Sequence, residues 1–173
     1  MNVAISRRNF LKASAAAGGG LALEVSIPGS AFAQAKAAAG PAEVTAWILI
    51  HPDDRVTIRV ARSEMGQGSL TGLAQLVAEE LECDWGKVGT EFASPNEHVK
   101  RKRIWGSMST GGSAGIRTSQ EYLRKAGASA REMLVSAAAT RWNVSASECT
   151  VDKGVITHGP SKRRIRYGQV AAD

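Results

Sequence analysis

Between residues 55 and 81 the hydrophobic period changes once, and a loop with two glycines marks the change. Val56, Ile58 and Val60 alternate with Arg55, Thr57 and Arg59, the period-two pattern of a half-buried strand. From Leu70 onward, Leu70, Leu73, Ala74, Val77 and Leu81 recur at the spacing of a helix with one apolar face. The joining stretch is Glu64-Met65-Gly66-Gln67-Gly68-Ser69-Leu70-Thr71. Strand, glycine loop and helix in that order make a seat for an anion or the edge of a ring. Glycines allow positive φ and close backbone approach, and a helix start directs unpaired N–H groups forward. Gln67 adds an amide that both donates and accepts. The same residues also suit an ordinary turn with a Ser or Thr cap.

The rest of the chain predicts an α+β fold of mixed hairpins and two main helices. Val44 to Ile50 reads as a strand, and His51-Pro52-Asp53-Asp54 as the turn that pairs it with Arg55 to Val60. Val88 to Ala93 is a short strand, followed by a turn at Ser94-Pro95-Asn96 and a basic loop, Lys100 to Arg103. A second glycine-rich loop, Gly106 to Ser113, opens a long helix to about Trp142, with Ile116, Leu123, Ala126, Ala130, Leu134 and Ala137 as its buried stripe. Glu148 to Asp152 and Val155 to His158 read as a hairpin turning at Lys153-Gly154, and Tyr167 to Ala172 begins another helix. Both glycine loops are expected at one edge. Glu79, Glu80 and Glu82 read as a solvated helix face, and His51 as structural.

Several function classes are excluded early. At 173 residues the chain allows one domain with a sizeable core. Its net charge of +6 includes Arg7, Arg8, Lys12 and Glu24, a net of +2, and the remaining +4 is too modest to argue for a nucleic-acid partner. The basic run has no aromatic interleaving. Two cysteines, Cys83 and Cys149, stand far apart and form no recognisable zinc or iron–sulfur spacing. They read as two small buried or half-buried thiols, which an exported protein could also pair.

The N-terminus carries an address. Ser6-Arg7-Arg8-Asn9-Phe10-Leu11-Lys12 is a twin-arginine export signature, Ala13 to Leu23 a mildly apolar stretch, and Ala31-Phe32-Ala33 a small-x-small cleavage site. The apolar stretch is too short for a membrane span. Residues 1–33 are therefore expected to be a leader cleaved after Ala33, residues 34–43 an Ala/Gly/Pro-rich linker, and residues 44–173 the folded part, delivered to the periplasm by the twin-arginine export machinery. That route carries folded proteins and suits one that takes up a cofactor beforehand.

With both loops in view, Glu64 to Gly68 followed by Thr71 and Gln75, then Gly106-Ser107-Met108-Ser109-Thr110-Gly111-Gly112-Ser113, then Tyr122-Leu123-Arg124-Lys125-Ala126-Gly127, the sequence resembles large subunits of the xanthine oxidase family of molybdenum hydroxylases. Among its branches it looks most like isoquinoline 1-oxidoreductase beta-type subunits. The resemblance covers residues 44–173 and implies part of a molybdenum-cofactor-binding domain. It implies a molybdopterin-type cofactor, in the cytosine dinucleotide form, with Gly66, Gln67 and Gly68 at its pterin and dithiolene side. Ser107, Ser109 and Thr110 would meet the pterin or its phosphate, and Gly106, Gly111 and Gly112 would let that loop approach. Thr71 and Gln75 would stand behind the first loop, and Met108 receives no role.

The family's chemistry is hydroxylation with water as the oxygen source, on an N-heteroaromatic ring or an aldehyde. Its base is a glutamate of a later motif that this sequence does not contain, so no residue here is assigned as catalytic base or metal ligand. The resemblance implies the N-terminal portion of a longer subunit, paired with a small subunit bearing two [2Fe–2S] clusters and passing electrons to a periplasmic acceptor. The competing readings are a non-catalytic exported fragment and an anion-binding module.

Overall fold

In the computed structural model, which describes residues 40–173, two small sheets flank a pair of packed helices. Residues 1–33, expected as a leader, and residues 34–39 of the expected linker lie outside the described residues. The first sheet has the order β1-β2-β3-β4, with β1 Ala42–Thr45, β2 Ile48–Ile50, β3 Val56–Val60 and β4 Val88–Phe92. The expected hairpin is present: Ile48 faces Ile58 and Ile50 faces Val56 across antiparallel β2 and β3. Two corrections apply at its start. The single strand expected over Val44 to Ile50 is broken at Ala46-Trp47, where the chain reverses into a second hairpin. Ala42 and Glu43, expected in the linker, are the first residues of β1. A run of intermediate residues hid both, because an edge strand with little burial has no sharp alternation.

Strand β3, helix α1 (Ser69–Leu81) and strand β4 form a crossover unit, with β3 and β4 parallel and Val56 opposite Val88. Parallel neighbours need such a crossover, and a helix is its usual form. Helix α1 buries Leu73, Ala74, Val77, Ala78 and Leu81. It ends where Glu82 turns left-handed at φ 53°, and the Glu82 carboxylate then pairs with Arg131. Glu80 pairs with Arg124 at 2.7 Å, so this acidic face is an interhelical seam as well as a solvated one. Ser94-Pro95 is no simple turn. Ser94 caps the Glu97 amide at 3.4 Å and Pro95 opens a short helix, α2 (Pro95–Lys100), the positions that Ser and Pro favour at a helix start.

The long second helix is also divided. A single turn, α3 (Ala114–Arg117), is followed by a break at Thr118-Ser119 and then by α4 (Gln120–Trp142). The buried stripe of α4 is Leu123, Gly127, Ala130, Leu134, Ala138 and Ala139. Ile116 is exposed, and Ala126 and Ala137 are only half buried. Gly127 explains the shifted stripe. A Cβ there would stand 2.6 Å from the Val77 carbonyl oxygen, so α1 and α4 touch nearly backbone to backbone.

The second sheet has the order β5-β6-β7, with β5 Cys149–Asp152, β6 Val155–His158 and β7 Arg164–Arg166. The β5–β6 hairpin turns at Lys153-Gly154 as expected; β7, only three residues long, gave no readable pattern. The last helix, α5, spans Tyr167–Val170. One apolar cluster joins Ile48, Ile58, Leu73, Val77, Leu123 and Leu134 to Ile156, Tyr167 and Val170. The carboxylate of buried Asp54 ties the two sheets' ends, accepting from the Gly168 amide at 3.0 Å and pairing with Arg166 at 3.2 Å. Among the described residues no helix is long and apolar enough to cross a membrane.

Candidate functional site

Three consecutive residues at the end of β3 fasten both glycine loops. Arg62, buried at 5% exposure, reaches beneath the second loop. Its Nε donates to Ser119 Oγ at 3.1 Å, Nη2 to Thr118 Oγ1 at 3.0 Å, and Nη1 to Ser107 Oγ at 3.3 Å and to the Ser109 carbonyl. The Ser63 amide donates to Thr110 Oγ1 at 2.8 Å, while its carbonyl accepts from Gln67 Nε2 at 2.8 Å. The Glu64 carboxylate gathers the first loop. It accepts from the amides of Gly66 at 2.7 Å, Gly68 at 2.9 Å and Leu70 at 2.9 Å, and from the Ser69 hydroxyl at 3.4 Å. Those donors, the Leu70 and Gly68 amides foremost, draw the Glu64 pKa from 4.5 down to about 2.

This corrects one expectation. The N–H groups at the start of α1 were expected to face a ligand; the amides of Gly66, Gly68 and Leu70 are instead turned onto Glu64. Positive φ at Gly66 (93°) and Gly68 (76°) curls the peptide groups into a concave nest around that carboxylate. Gln67 is likewise engaged within its own loop. Its Oε1 accepts from the Met65 amide at 2.6 Å, and its Nε2 also donates to Ser69 Oγ at 2.7 Å. The loop is a closed, self-bonded unit with a defined outer surface.

That surface forms one wall of a cleft of about 380 Å³. Met65, Gln67 and Ser69 stand on one side, and Thr110, Gly111, Gly112 and the first turn of α3 on the other. The lining residues carry no charge. Met65, 72% exposed, and Ile116, 40% exposed, present apolar surface toward solvent, and a small apolar slot with peptide edges suits a flat heterocycle. Gly111 and Gly112 are exposed, which leaves their peptide edges accessible.

The nine expected site residues divide into three groups. Gln67, Thr110, Gly111 and Gly112 border the cleft. Gly66 and Gly68 lie around the Glu64 carboxylate, while Ser107 and Ser109 meet Arg62. Gly106 sits apart in a turn, its amide on the Arg103 carbonyl at 3.0 Å. Met108 packs against Ala61, Ala93 and Trp105, a structural role. Thr71 and Gln75 are exposed on α1, and Gln75 borders a separate hollow with Leu76 and Trp85. The basic run is partly neutralised: Lys100 pairs with Glu97 at 2.9 Å and Arg101 with Glu43 at 2.5 Å.

Sequence reasoning missed Arg62. The available signal was its place, a charged residue directly after a buried strand and two before the glycine loop, where a neighbour's side chain has to account for it.

The fold and cleft define a small α+β domain with an uncharged slot between two glycine loops. The chain belongs to the molybdopterin cofactor-binding domain family, whose model matches residues 4–173. It is 37% identical over 176 residues to isoquinoline 1-oxidoreductase subunit beta of Brevundimonas diminuta, an alignment covering 98% of this chain and 22% of the relative. It is 32% identical over 180 residues to a membrane-bound aldehyde dehydrogenase [pyrroloquinoline-quinone] of Gluconacetobacter polyoxogenes, covering 97% of this chain and 21% of that one. The chain thus spans about a fifth of the length of these curated relatives. In fold it is similar to a Cu,Mo-CO dehydrogenase in the carbon monoxide reduced state (TM-score 0.55, 22% identity, covering 71% of this chain and 15% of that chain). It is equally similar to a reconstituted CO dehydrogenase from Oligotropha carboxidovorans (TM-score 0.56, 22% identity, 71% and 15%).

Proposed function

We propose that this chain is the part of a molybdenum-cofactor oxidoreductase that grips the pterin, in an enzyme that hydroxylates an N-heteroaromatic ring or oxidises an aldehyde with water as oxygen source. The observation that carries this reading is that Gln67 and Thr110, 43 positions apart in sequence, face one cleft whose walls are both pinned by Arg62-Ser63-Glu64. The residues fit a pterin: an uncharged slot with apolar shoulders at Met65 and Ile116 and open peptide edges at Gly111 and Gly112. When bound, the cofactor supplies two-electron chemistry at molybdenum. This chain's residues orient the ring and shield one face from water. Gln67, Thr110, Gly111 and Gly112 would touch it directly. Gly66, Gly68, Gly106, Ser107 and Ser109 would shape the walls.

The substrate classes rest on the names of the two relatives, one an isoquinoline oxidoreductase and the other an aldehyde dehydrogenase. In the same reading residues 1–33 are a twin-arginine leader, residues 34–43 mostly linker, and the protein works in the periplasm. The cofactor is the cytosine dinucleotide form, and electrons leave through a small subunit with two [2Fe–2S] clusters to a periplasmic acceptor.

The test is elemental and pterin analysis of the full chain, produced together with the cofactor-assembly machinery and a candidate iron–sulfur subunit. Near-stoichiometric molybdenum with pterin fluorescence supports the proposal, and assays on heteroaromatics and aldehydes follow. Metal-free protein that binds phosphate would favour the anion-binding module. A bound quinone without pterin would favour the cofactor in the second relative's name.

A further inference from the structure

Among the described residues the charge of Arg62 has no counter-ion. The residue is 5% exposed, and the acceptors of its guanidinium are three hydroxyls and a carbonyl, all neutral. Among the described residues no carboxylate pairs with it. Arg59, three positions earlier and also largely withdrawn from solvent, pairs with two, Glu43 at 2.5 Å and Glu91 at 2.8 Å. Hydroxyls and a carbonyl satisfy hydrogen-bond geometry but do not neutralise a cation, and an unneutralised buried charge is unfavourable. Arg62 holds Ser107 and Ser109, and the same loop continues into the cleft wall at Thr110 to Gly112, where Gly111 and Gly112 are exposed. The opposite wall is backed by the Glu64 carboxylate. A negative group entering the cleft would therefore be drawn to the second loop and repelled from the first.

Resting on the cofactor reading above, we infer that Arg62 is a positioning residue whose buried charge serves as counter-ion to the anionic, phosphate-bearing part of the ligand, acting through the Ser107–Ser109 loop. A buried charge is little screened, so it acts across one layer of backbone. A brace made of hydrogen bonds alone would hold the loop equally well without charge.

The experiment separates charge from bracing in the full chain, produced with the cofactor-assembly machinery. Bound pterin is measured by fluorescence after denaturation, before and after washing at about 0.05 M and about 0.5 M salt, between which electrostatic range shortens severalfold. Arg62→Gln removes the charge, Arg62→Lys keeps it without the planar fork, and Thr118→Val with Ser119→Ala removes two hydrogen bonds and leaves the charge. Circular-dichroism melts report folding. The expected result is pterin in Arg62→Lys and in the double variant within about twofold of wild type, and on the order of tenfold less in Arg62→Gln, with the salt dependence of wild type flattened. Arg62→Gln that holds pterin like wild type, with the same salt dependence, overturns the inference. So does a double variant that loses pterin as Arg62→Gln does. If Arg62→Gln does not fold, the double variant decides alone. Wild type without pterin sinks the cofactor reading instead, and inorganic pyrophosphate becomes the probe. A salt-sensitive rise in wild-type melting temperature, kept in Arg62→Lys and in the double variant and absent in Arg62→Gln, then keeps the role of Arg62; no rise in wild type, or a rise lost in Arg62→Lys, ends it.

Discussion

The phenolic hydroxyl of Tyr167 donates to the carbonyl oxygen of Leu81 at 2.8 Å, across 86 positions of sequence. Leu81 is the last residue of α1, where carbonyl groups lack partners within the helix. Tyr167, 1% exposed, thus caps one helix from the start of another, and burial pushes its own pKa upward. Tyr167→Phe keeps the packing and leaves that carbonyl unsatisfied. The expected loss is about 1–2 kcal/mol, read from the urea midpoint at constant slope.

Glu64 makes stability depend on acid. Its folded pKa of about 2 lies below the ordinary 4.5 because backbone amides hold the charged form. A lowered folded pKa means that the stabilisation is complete above the unfolded value and disappears as pH falls from near 5 toward 2. Glu43 and Asp53 are also lowered, so wild type alone does not isolate the effect. Glu64→Gln should melt lower than wild type at pH 7, and the gap should close as pH approaches 2. A gap that stays constant with pH would mean that the nest does not read the charge.

Gly127 is required for the contact of α1 with α4. Its added Cβ would meet the Val77 carbonyl oxygen at 2.6 Å and Glu80 Cβ at 3.0 Å, the first of these rigid backbone. Although alanine favours helices, Gly127→Ala should destabilise by about 1–3 kcal/mol through forced separation of the pair. Alanine in place of the exposed Ser129 should not. Parallel urea titrations of the two variants decide.

The two thiols should differ in reactivity. Burial raises the Cys83 pKa from 9.0 to about 11, and burial followed by the Glu148 charge raises that of Cys149 less strongly. Since the thiolate is the reacting species, iodoacetamide at pH 8 should label Cys149 first. Peptide mass analysis over time gives the order; faster labelling of Cys83 would contradict the packing around it.

Within the cleft, Gly112 holds φ 56° at an exposed bend. A β-branched residue is strained there by roughly 1–2 kcal/mol. Gly112→Val should therefore lower the melting temperature by several degrees and leave the domain folded, while pterin content falls severalfold. Equal losses of folding and pterin would place Gly112 in the scaffold instead.

The strong periodicities were legible. Val56, Ile58 and Val60, the α1 stripe and the Lys153-Gly154 hairpin all lie where their spacing puts them. Weakly buried or very short elements were not. Strand β1 is half exposed, β7 has three residues, and the break at Thr118-Ser119 is made by Arg62 holding both hydroxyls, a contact 56 or more positions away in sequence. The site shows the same limit. The meeting of the two loops could be anticipated from their glycines, but the direction of the first loop's amides depends on Glu64, four residues before the N-cap and outside the usual capping positions. Local pattern cannot say whether such a carboxylate turns inward.

Because Arg62, Ser63 and Glu64 are covalent neighbours, the two loops share one hinge of inheritance as well as one of structure. A substitution that shifts the end of β3 moves both walls of the cleft together, and a change in either loop is felt by the other through three peptide units. Mutational effects at Gln67 and Thr110 should therefore be epistatic, and lineages of this domain should alter the two loops in concert.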